Sequence, residues 1–352
     1  MDLSRRELLK VIGASTIFGY DYLNCSNIYA LHINSSWLSG QSLPIPTQEI
    51  YPAVFNGEIY VGGGFVRSDK PIFYGLSPSS LVFIFNPKNQ TWRYGPKLPE
   101  IRHHLGMVSN CRYLYGIGGF YGIKGNAWQA KNTVYKMTSS GKTWLPGPHL
   151  PIPLAESIYA SNDNNIHVIG GKTLNISTNK TIDTKKHFVL VNNEHWEEAA
   201  PPTISRNSAA CAVLNNRVFV IGGRAYGEKP MNKQFSEVYD FKSDRWDRIR
   251  PLPIALAGLA AVTLNGKIVV SGGEAFGPNG NWKTGKAFKS IWSYDPATDH
   301  WQEELAMPQP RHGHGAVSLN NKMYIVGGGS RVGPQGTLSS LLILEDRTLS
   351  KG

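Results

Sequence analysis

The sequence lacks any long apolar run and contains only three cysteines in 352 residues. No stretch approaches the roughly 20 apolar residues that a spanning helix needs, so we predict no membrane span. Cys25, Cys111 and Cys211 show neither CxxC spacing nor the Cys/His pattern of a zinc site, so neither a metal nor a cofactor is expected. Cys111 and Cys211 are interpreted as buried thiols, and a disulfide between them is left open.

Acidic residues are scarce relative to basic ones. The chain has 36 lysines and arginines against 25 aspartates and glutamates, which gives a net charge of +11. A basic balance favours anionic partners such as nucleic acid, acidic glycans or small acids. The basic residues form no dense block, which argues against nucleic acid. Scattered solvated charges are the alternative interpretation.

The first thirty residues carry an export pattern. Ser4-Arg5-Arg6-Glu7-Leu8-Leu9-Lys10 precedes a mildly apolar run at 11–20. That run is too short to be an anchor and has the length of a signal h-region. The segment resembles the twin-arginine signal of bacteria, which implies a periplasmic or extracellular protein whose single domain is residues 31–352. An ordinary N-terminal helix is the alternative.

A repeat of about 50 residues runs through the rest of the chain. Each of six tryptophans precedes a Gly-Gly pair by 26 residues. The tryptophans are Trp37, Trp92, Trp144, Trp196, Trp246 and Trp301, and the pairs begin at Gly63, Gly118, Gly170, Gly222, Gly272 and Gly327. All variation in repeat length falls between a Gly-Gly pair and the next tryptophan. Six copies of one fixed offset indicate six copies of one structural unit.

Each unit is interpreted as four strands, named a to d. Asn-Asn or Asn-Gly pairs fit tight turns between strands a and b, strand b ends in Gly-Gly, and strand d carries the tryptophan. This pattern resembles the Kelch repeat, which implies an all-β, six-bladed Kelch β-propeller. The segment 341–344 resembles a strand c without its strand d, and Trp37 lies in a strand d without its blade. We therefore predict that the N-terminal strand joins the C-terminal blade and closes the ring.

The variable segments are the loops between strands b and c, which lie on one face of such a ring. They hold fourteen basic and four acidic residues. Variable loops on one face are the expected place for a binding site. Arg224 and the aromatic residues Tyr121, Tyr226 and Trp282 are predicted to bind an acidic sugar by stacking and bidentate pairing. Basic loops without a binding role are the alternative.

Three consecutive slots at the start of strand a predict a second part of the site. They lie ten, eleven and twelve residues after each tryptophan and should surround the mouth of the central channel. The candidates for ligand binding there are Arg102, Arg206, Arg311 and His312, and the candidates for acid–base catalysis are Glu49, Glu156 and His103. Arginines that instead cap backbone carbonyls between blades, as Kelch arginines can, are the alternative.

The function is an expectation at the level of the fold. The chain is similar in size, blade number and export pattern to the periplasmic N-acetylneuraminate epimerases, which implies a sugar mutarotase that binds a small anionic sugar. A non-catalytic protein-interaction module that uses the b–c loop face is the first alternative. A copper radical oxidase is the second, and it is disfavoured because that family has seven blades. Whether the chain is an enzyme stays open.

Overall fold

The computed structural model describes residues 35–162, 165–175, 177–227 and 229–346. The export segment predicted at residues 1–30 lies outside them. The described residues form six four-stranded antiparallel sheets and five two-stranded hairpins. No helix in these four segments is long and apolar enough to cross a membrane.

The six sheets are the blades of a propeller, and each has strands a to d in order from the central channel outward. Blade 1 comprises Ala53–Phe55, Glu58–Gly62, Val82–Asn86 and Thr91–Tyr94. Blade 2 comprises Gly106–Ser109, Tyr113–Ile117, Val134–Thr138 and Leu145–Pro146. Blade 3 comprises Ile158–Asn162, Asn165–Ile169, His187–Val191 and His195–Glu198. Blade 4 comprises Ala210–Leu214, Arg217–Ile221, Ser236–Asp240 and Arg245–Arg248. Blade 5 comprises Ala260–Leu264, Lys267–Ser271, Ile291–Asp295 and His300–Glu304. Blade 6 comprises Gly315–Leu319, Lys322–Val326, Leu341–Asp346 and Ser35–Gly40.

The ring closes as the sequence predicts. Strand d of blade 6 is the N-terminal Ser35–Gly40, which pairs antiparallel with Leu341–Asp346 and sets Trp37 opposite Leu344. The N-terminal strand thus covers an edge that blade 6 would otherwise expose, so a six-bladed all-β propeller is confirmed.

Each repeat tryptophan donates its indole N–H to a backbone carbonyl of the preceding blade. The acceptor always lies four residues after the tryptophan of that preceding blade. The donor–acceptor pairs, at 2.7–3.3 Å, are Trp92–Gln41, Trp144–Pro96, Trp196–Pro148, Trp246–Ala200, Trp301–Arg250 and Trp37–Leu305. The last pair joins the N-terminal strand to blade 5 and completes the circle of links.

The Gly-Gly pairs link the blades near the channel. All twelve glycines have positive φ, where a residue with a Cβ is strained. A Cβ on Gly118 would also lie 2.2 Å from the carbonyl oxygen of Leu154 in the next blade. The second glycine donates its amide N–H to the next blade at 2.7–2.9 Å in Gly119–Leu154, Gly171–Arg206, Gly223–Leu256, Gly273–Arg311 and Gly328–Thr47.

The b–c loops of blades 1 to 5 form hairpins on one face, and the loop of blade 5 adds a short 3-10 helix at Pro278–Gly280. The hairpin strands are Phe65–Arg67 with Leu76–Pro78, Phe120–Ile123 with Asn126–Ala130, Lys172–Asn175 with Lys180–Asp183, Arg224–Tyr226 with Pro230–Asn232, and Glu274–Gly277 with Asn281–Ala287. The sixth loop is held by a bridge between Gly329 and Thr337.

Two buried histidines hydrogen-bond in series inside blade 3. His187 Nδ1 lies 2.9 Å from the carbonyl oxygen of Ala200, and His187 Nε2 lies 2.9 Å from His167 Nδ1. Since the carbonyl only accepts, His187 carries its proton on Nδ1 and accepts from His167 with Nε2. Burial lowers the pKa of His167 to about 3 and that of His187 to about 4, so both rings stay neutral in the folded chain at neutral pH.

This pair predicts acid-sensitive stability. Below a pH of about 6.5 these two histidines bind protons in the unfolded chain but not in the folded chain. As the pH falls, the free energy of unfolding therefore decreases by about 1.4 kcal/mol per pH unit for each ring. The loss continues until the pH reaches the folded pKa values of about 3 and 4. Urea unfolding between pH 5 and 7 should show a shallower pH dependence in His167→Gln. The exposed His195→Gln is the control, and equal slopes in the two variants would contradict the assignment.

Candidate functional site

Six residues at the start of strand a form an inner ring around the central channel. The inner ring consists of Glu49, His104, Glu156, Ser208, Gly258 and Gly313, all with φ between 50° and 63°. Backbone N–H groups donate to the neighbouring member's carbonyl at 2.6–3.1 Å in His104–Glu49, Ser208–Glu156, Gly258–Ser208, Gly313–Gly258 and Glu49–Gly313. The third sequence slot therefore occupies one equivalent backbone position in all six blades.

Four members of the inner ring are not glycine although the position suits glycine. Blades 5 and 6 use Gly258 and Gly313 there, whereas blades 1 to 4 place side chains at the same left-handed φ. Such a conformation costs a residue with a Cβ about 1 kcal/mol or more. Strain of this kind is concentrated at functional sites. The side chains of Glu49, His104 and Glu156 are therefore the strongest candidates for a functional role.

A cavity of about 400 Å³ lies on the loop side of the inner ring. Its floor is made by Glu49, His104, Glu156 and Ser208. One wall is aromatic and comes from blades 1 and 2: Phe65, Phe73, Phe120 and Trp128. The opposite wall is polar: Lys172, Thr181, Arg224, Tyr226, Glu274 and His312. The volume is in the range of small-molecule sites, and the division into apolar and polar walls is typical of them.

The residue directly after each Gly-Gly pair supplies much of the two walls. It forms an isolated antiparallel bridge with the middle slot of strand a in the same blade. The bridges are Gln48–Phe65, His103–Phe120, Ala155–Lys172, Asn207–Arg224, Ala257–Glu274 and His312–Gly329. The bridge brings that residue to the edge of the channel, so Lys172, Arg224 and Glu274 face the same space as the inner ring.

Hydrogen bonds fix the protonation of His104. His103 Nε2 lies 2.8 Å from the carbonyl oxygen of Ala127 and must donate, so in neutral His103 the Nδ1 atom accepts. His104 Nδ1, 2.7 Å from His103 Nδ1, is then the donor. His104 Nε2 lies 2.9 Å from a carboxylate oxygen of Glu49. His104 therefore donates from both nitrogens and is an imidazolium paired with ionised Glu49.

The pKa shifts agree with this assignment. Burial opposes charge on both partners. Attraction to His104 and its hydrogen bond nevertheless lower the pKa of Glu49 to about 2. Burial likewise lowers the pKa of His104, but attraction to Glu49 and Glu156 outweighs it and leaves that pKa raised. Burial and the neighbouring His104 charge hold the pKa of His103 well below its usual range.

Glu156 of the floor and His312 of the polar wall extend this network of charged groups. Glu156 accepts a hydrogen bond from Ser208 Oγ at 2.8 Å, and its other oxygen lies 4.0 Å from His104 Nε2. His312 Nδ1 lies 3.4 Å from Glu274 and 3.7 Å from Glu49, while its Nε2 lies 2.7 Å from the carbonyl oxygen of Arg331. Carboxylates and imidazoles thus alternate across the floor, an arrangement that can move protons.

The structure brings five of the predicted site residues to the cavity: Glu49, Glu156, His312, Arg224 and Tyr226. His103 lies behind His104 and stacks on Phe65 with ring centroids 4.0 Å apart, so it cannot contact a ligand on the floor. Trp282 packs edge-to-face on Tyr74 at a centroid distance of 5.6 Å. Tyr121 does not line the cavity and instead carries the Lys131 ammonium 5.1 Å from its ring centroid.

The three predicted ligand-binding arginines, Arg102, Arg206 and Arg311, do not line the cavity either, and this part of the interpretation is corrected. Arg206 donates to the carbonyl of Phe235 at 2.7 Å and pairs with buried Glu237 at 2.7 Å. Arg311 donates to the carbonyl of Gly327 at 2.9 Å, and Arg102 donates to Thr133 Oγ1 at 2.8 Å.

The backbone position of this first slot explains why these arginines do not reach the cavity. In blades 4 and 6 the carbonyls of Arg206 and Arg311 accept the Gly-Gly amide of the preceding blade, so the slot is buried between blades. Their guanidinium groups then extend into their own blade and hydrogen-bond backbone carbonyls at both ends of the b–c loop, after strand b and before strand c. They are structural donors to backbone carbonyls, as in the alternative interpretation, but these carbonyls belong to their own blade and do not lie between blades.

Other residues of the cavity were not predicted as site residues. Sequence reasoning selected His103 instead of His104, and it missed Lys172, Glu274, Ser208 and the aromatic wall. Two signals in the sequence could have identified them. Two glycines in the slot of His104 indicate a left-handed, inward-facing position, and the fixed position after Gly-Gly identifies Lys172 and Glu274.

The cysteines also differ from their interpretation. Cys111 is exposed rather than buried, and within the described residues no disulfide joins it to Cys211. Cys211 Sγ donates to the carbonyl of Tyr159 at 3.3 Å, and burial raises the pKa of this thiol to about 12. The described part of the chain contains no group of three histidine, cysteine or acidic side chains placed to hold a metal ion.

Comparisons with known proteins agree with this architecture. The KLHDC2/KLHL20/DRC7 Kelch-repeats domain matches residues 155–349, and the Kelch motif matches residues 52–99. Kelch repeat-containing protein At3g27220 of Arabidopsis thaliana is 28% identical over 194 residues, which is 53% of this chain and 43% of that protein. Kelch-like protein terF of Aspergillus terreus is 27% identical over 289 residues, 81% of this chain and 61% of that protein.

The chain therefore spans less than two thirds of the length of these two relatives. The solved structure of YjhT superposes with a TM-score of 0.70 at 17% sequence identity, and the match covers 86% of this chain and 96% of that one. At this identity the likeness shows the fold alone. Fold and site together define a closed six-bladed propeller with an inner cavity on its loop face. The Kelch-repeats domain matches more than half of the chain's length, so the chain belongs to the Kelch-repeat family.

The corrected role of Arg206 gives a testable prediction. Arg206→Met removes the partner of Glu237, whose side chain is fully buried. Breaking a buried ion pair from one side should lower the free energy of unfolding by about 3–5 kcal/mol. Arg250→Met, at an exposed arginine, is the matched control and should change it by less than about 1 kcal/mol. Chemical denaturation measures both, and equal effects would contradict the structural role.

Proposed function

We propose that the chain binds a sugar in the inner cavity and interconverts its anomers. The observation that carries this proposal is the inner ring, where Glu49, His104 and Glu156 occupy strained backbone positions beneath an aromatic wall. Aromatic faces suit the C–H face of a sugar ring, and the polar wall offers donors and acceptors for its hydroxyls. The floor offers the acid and the base that opening of the sugar ring needs.

The proposed reaction assigns one proton transfer to each group. A carboxylate oxygen of Glu156 takes the proton of the anomeric hydroxyl, and its O–H electrons form the carbonyl while the bond from the anomeric carbon to the ring oxygen breaks. The His104 imidazolium gives its proton to the ring oxygen. Rotation about the existing bond between the new carbonyl carbon and its carbon neighbour presents the other face of the carbonyl. The reverse transfers then yield the other anomer, with both groups restored.

Glu49 and His103 act through His104 in this proposal. With a pKa of about 2, Glu49 is too weak a base to accept a hydroxyl proton efficiently, but as a permanent anion it keeps His104 charged. His103 accepts a hydrogen bond from His104 and fixes the plane of its ring. The catalytic candidate His103 of the sequence interpretation thus becomes a positioning residue, and Glu156 keeps its catalytic candidacy.

The experiment is proton exchange spectroscopy of free sugars with the purified chain at catalytic concentration. One sugar of a panel of aldoses, N-acetylated sugars and sugar acids should show faster anomer exchange. Glu156→Gln and His104→Gln should each slow that exchange by about a hundredfold. The rate should fall as pH rises through the raised pKa of His104, because the imidazolium is lost.

Glu198→Gln, which removes an exposed carboxylate from an ion pair outside the cavity, is the matched control and should leave the rate unchanged. Unchanged exchange with every sugar would contradict the catalytic proposal. Line broadening without faster exchange would reduce the proposal to a sugar-binding module.

A protein-interaction module remains the second candidate function. Large apolar side chains are exposed on the b–c loop face: Tyr74, Ile123, Leu174, Ile182, Tyr226 and Met231. Such residues are enriched in protein interfaces when they form a patch. Absence of both broadening and exchange with all sugars would favour this candidate.

We also propose that residues 1–30 direct twin-arginine export to the periplasm or beyond. The support is the register of Ser4, Arg5, Arg6 and Lys10 ahead of a short apolar run. Arg5→Lys combined with Arg6→Lys should retain the chain in the cytoplasm of an expressing bacterium. Lys10→Arg is the control, and fractionation with immunoblotting measures both. Export of the double variant would contradict the signal assignment.

A further inference from the structure

We infer that the cavity selects an uncharged sugar over the corresponding sugar acid, because a carboxylate of the chain already neutralises each of its fixed cations. This inference rests on the proposed function and names the substrate class of the same site. It reverses the sequence-based expectation of an anionic ligand.

The first cation is Arg224. Its Nη2 lies 2.7 Å from a carboxylate oxygen of Glu274, and both side chains are only 7% exposed. Its Nε donates to Asn232 at 3.1 Å. A ligand carboxylate near this guanidinium would either lie beside the Glu274 carboxylate, which repels it, or displace Glu274 from the pair. The displacement would leave a buried carboxylate without a cation, which is strongly unfavourable.

The second cation is Lys172. Its ammonium lies 3.3 Å from Asp183, whose side chain is 2% exposed, and 3.6 Å from the ring centroid of Tyr226. Asp183 also accepts hydrogen bonds from Asn207 and from the backbone N–H of Tyr226. Lys172 is therefore fixed between a carboxylate and an aromatic face, and it offers no unpaired charge to a ligand.

Glu156 supplies a further charge that repels an acid. It lines the cavity with no lysine or arginine within 4.0 Å among the described residues, whereas Glu49 and Glu274 are paired with His104 and Arg224. The nearest cationic group to Glu156 is His104, which is already paired with Glu49. A ligand carboxylate on this floor would face like charges in a partly desolvated space, whereas sugar hydroxyls can donate hydrogen bonds to the same oxygens.

The other basic residues of the b–c loops do not change this balance, because none of them lines the cavity. Arg67 and Arg331 line a separate crevice between the loops of blades 1 and 6. Lys186 pairs with Glu198, and Lys229 donates to Asn279. Anions drawn to the loop face meet these residues first, but none of the four contacts the floor where the proposed chemistry occurs.

The test compares matched pairs of sugars that differ only in a carboxylate. D-glucose with D-glucuronate and D-galactose with D-galacturonate are the probes, and ligand line broadening is the readout, since it reports binding without catalysis. The unmodified chain should bind the neutral member of at least one pair about tenfold or more tightly than the acid. Glu274→Gln should free Arg224 and reduce that preference by about tenfold. Glu198→Gln is the control and should preserve the preference.

Each result decides the inference. Tighter binding of the acid by the unmodified chain would overturn it, as would a preference that Glu274→Gln leaves intact. If Glu274→Gln does not fold, Asp183→Asn frees Lys172 instead and the same criteria apply. Neutral preference without anomer exchange would support the inference while contradicting catalysis. No binding of either member of any pair would contradict the proposed function itself, and the inference with it.

Discussion

The hydrogen bond between a Gly-Gly amide and the next blade's strand a is the constraint on which the site depends. It requires two consecutive residues at positive φ and a backbone approach that a Cβ would block, as at Gly118 beside Leu154. The bond fixes the height of each strand a relative to its neighbour. Because it recurs around the ring, the slot two residues later arrives at one level in every blade. The inner ring follows from that shared level.

Two sets of hydrogen bonds join neighbouring blades: the tryptophan links at the outer radius and the glycine links near the channel. Each indole N–H binds a carbonyl of the preceding blade, and the Trp37 link to Leu305 includes the N-terminal strand in the circle. Rigid links at both radii allow residues from different blades to meet with defined distances. Glu49 and His104 come from adjacent blades yet lie 2.9 Å apart. An ion pair held by the scaffold in this way needs little reorganisation when a ligand binds.

Sequence reasoning predicted the fold almost completely, because the repeat signals are local and sixfold. It predicted the level of the candidate cavity for the same reason, and it named Glu49 and Glu156, which line that cavity. It could not predict which way a side chain runs from its slot. Arg206 follows its own blade's carbonyls outward, whereas His104, two slots along strand a in blade 2, turns inward at positive φ. That choice depends on backbone dihedrals and on partners such as Glu237, which lies 31 residues beyond Arg206.

The net charge of the chain is a second property from which the charges inside the cavity could not be predicted. A net charge of +11 describes the field at a distance and the solvated loops, whereas a ligand in the cavity meets individual pairs. Arg224 and Lys172 lie on the polar wall of the cavity, but Glu274 and Asp183 neutralise them at 2.7 and 3.3 Å. At such distances pairing within a low dielectric outweighs the screened charges of the rim. In our proposal, ligand preference therefore depends on which carboxylates the scaffold places beside its cations, and composition alone does not record that placement.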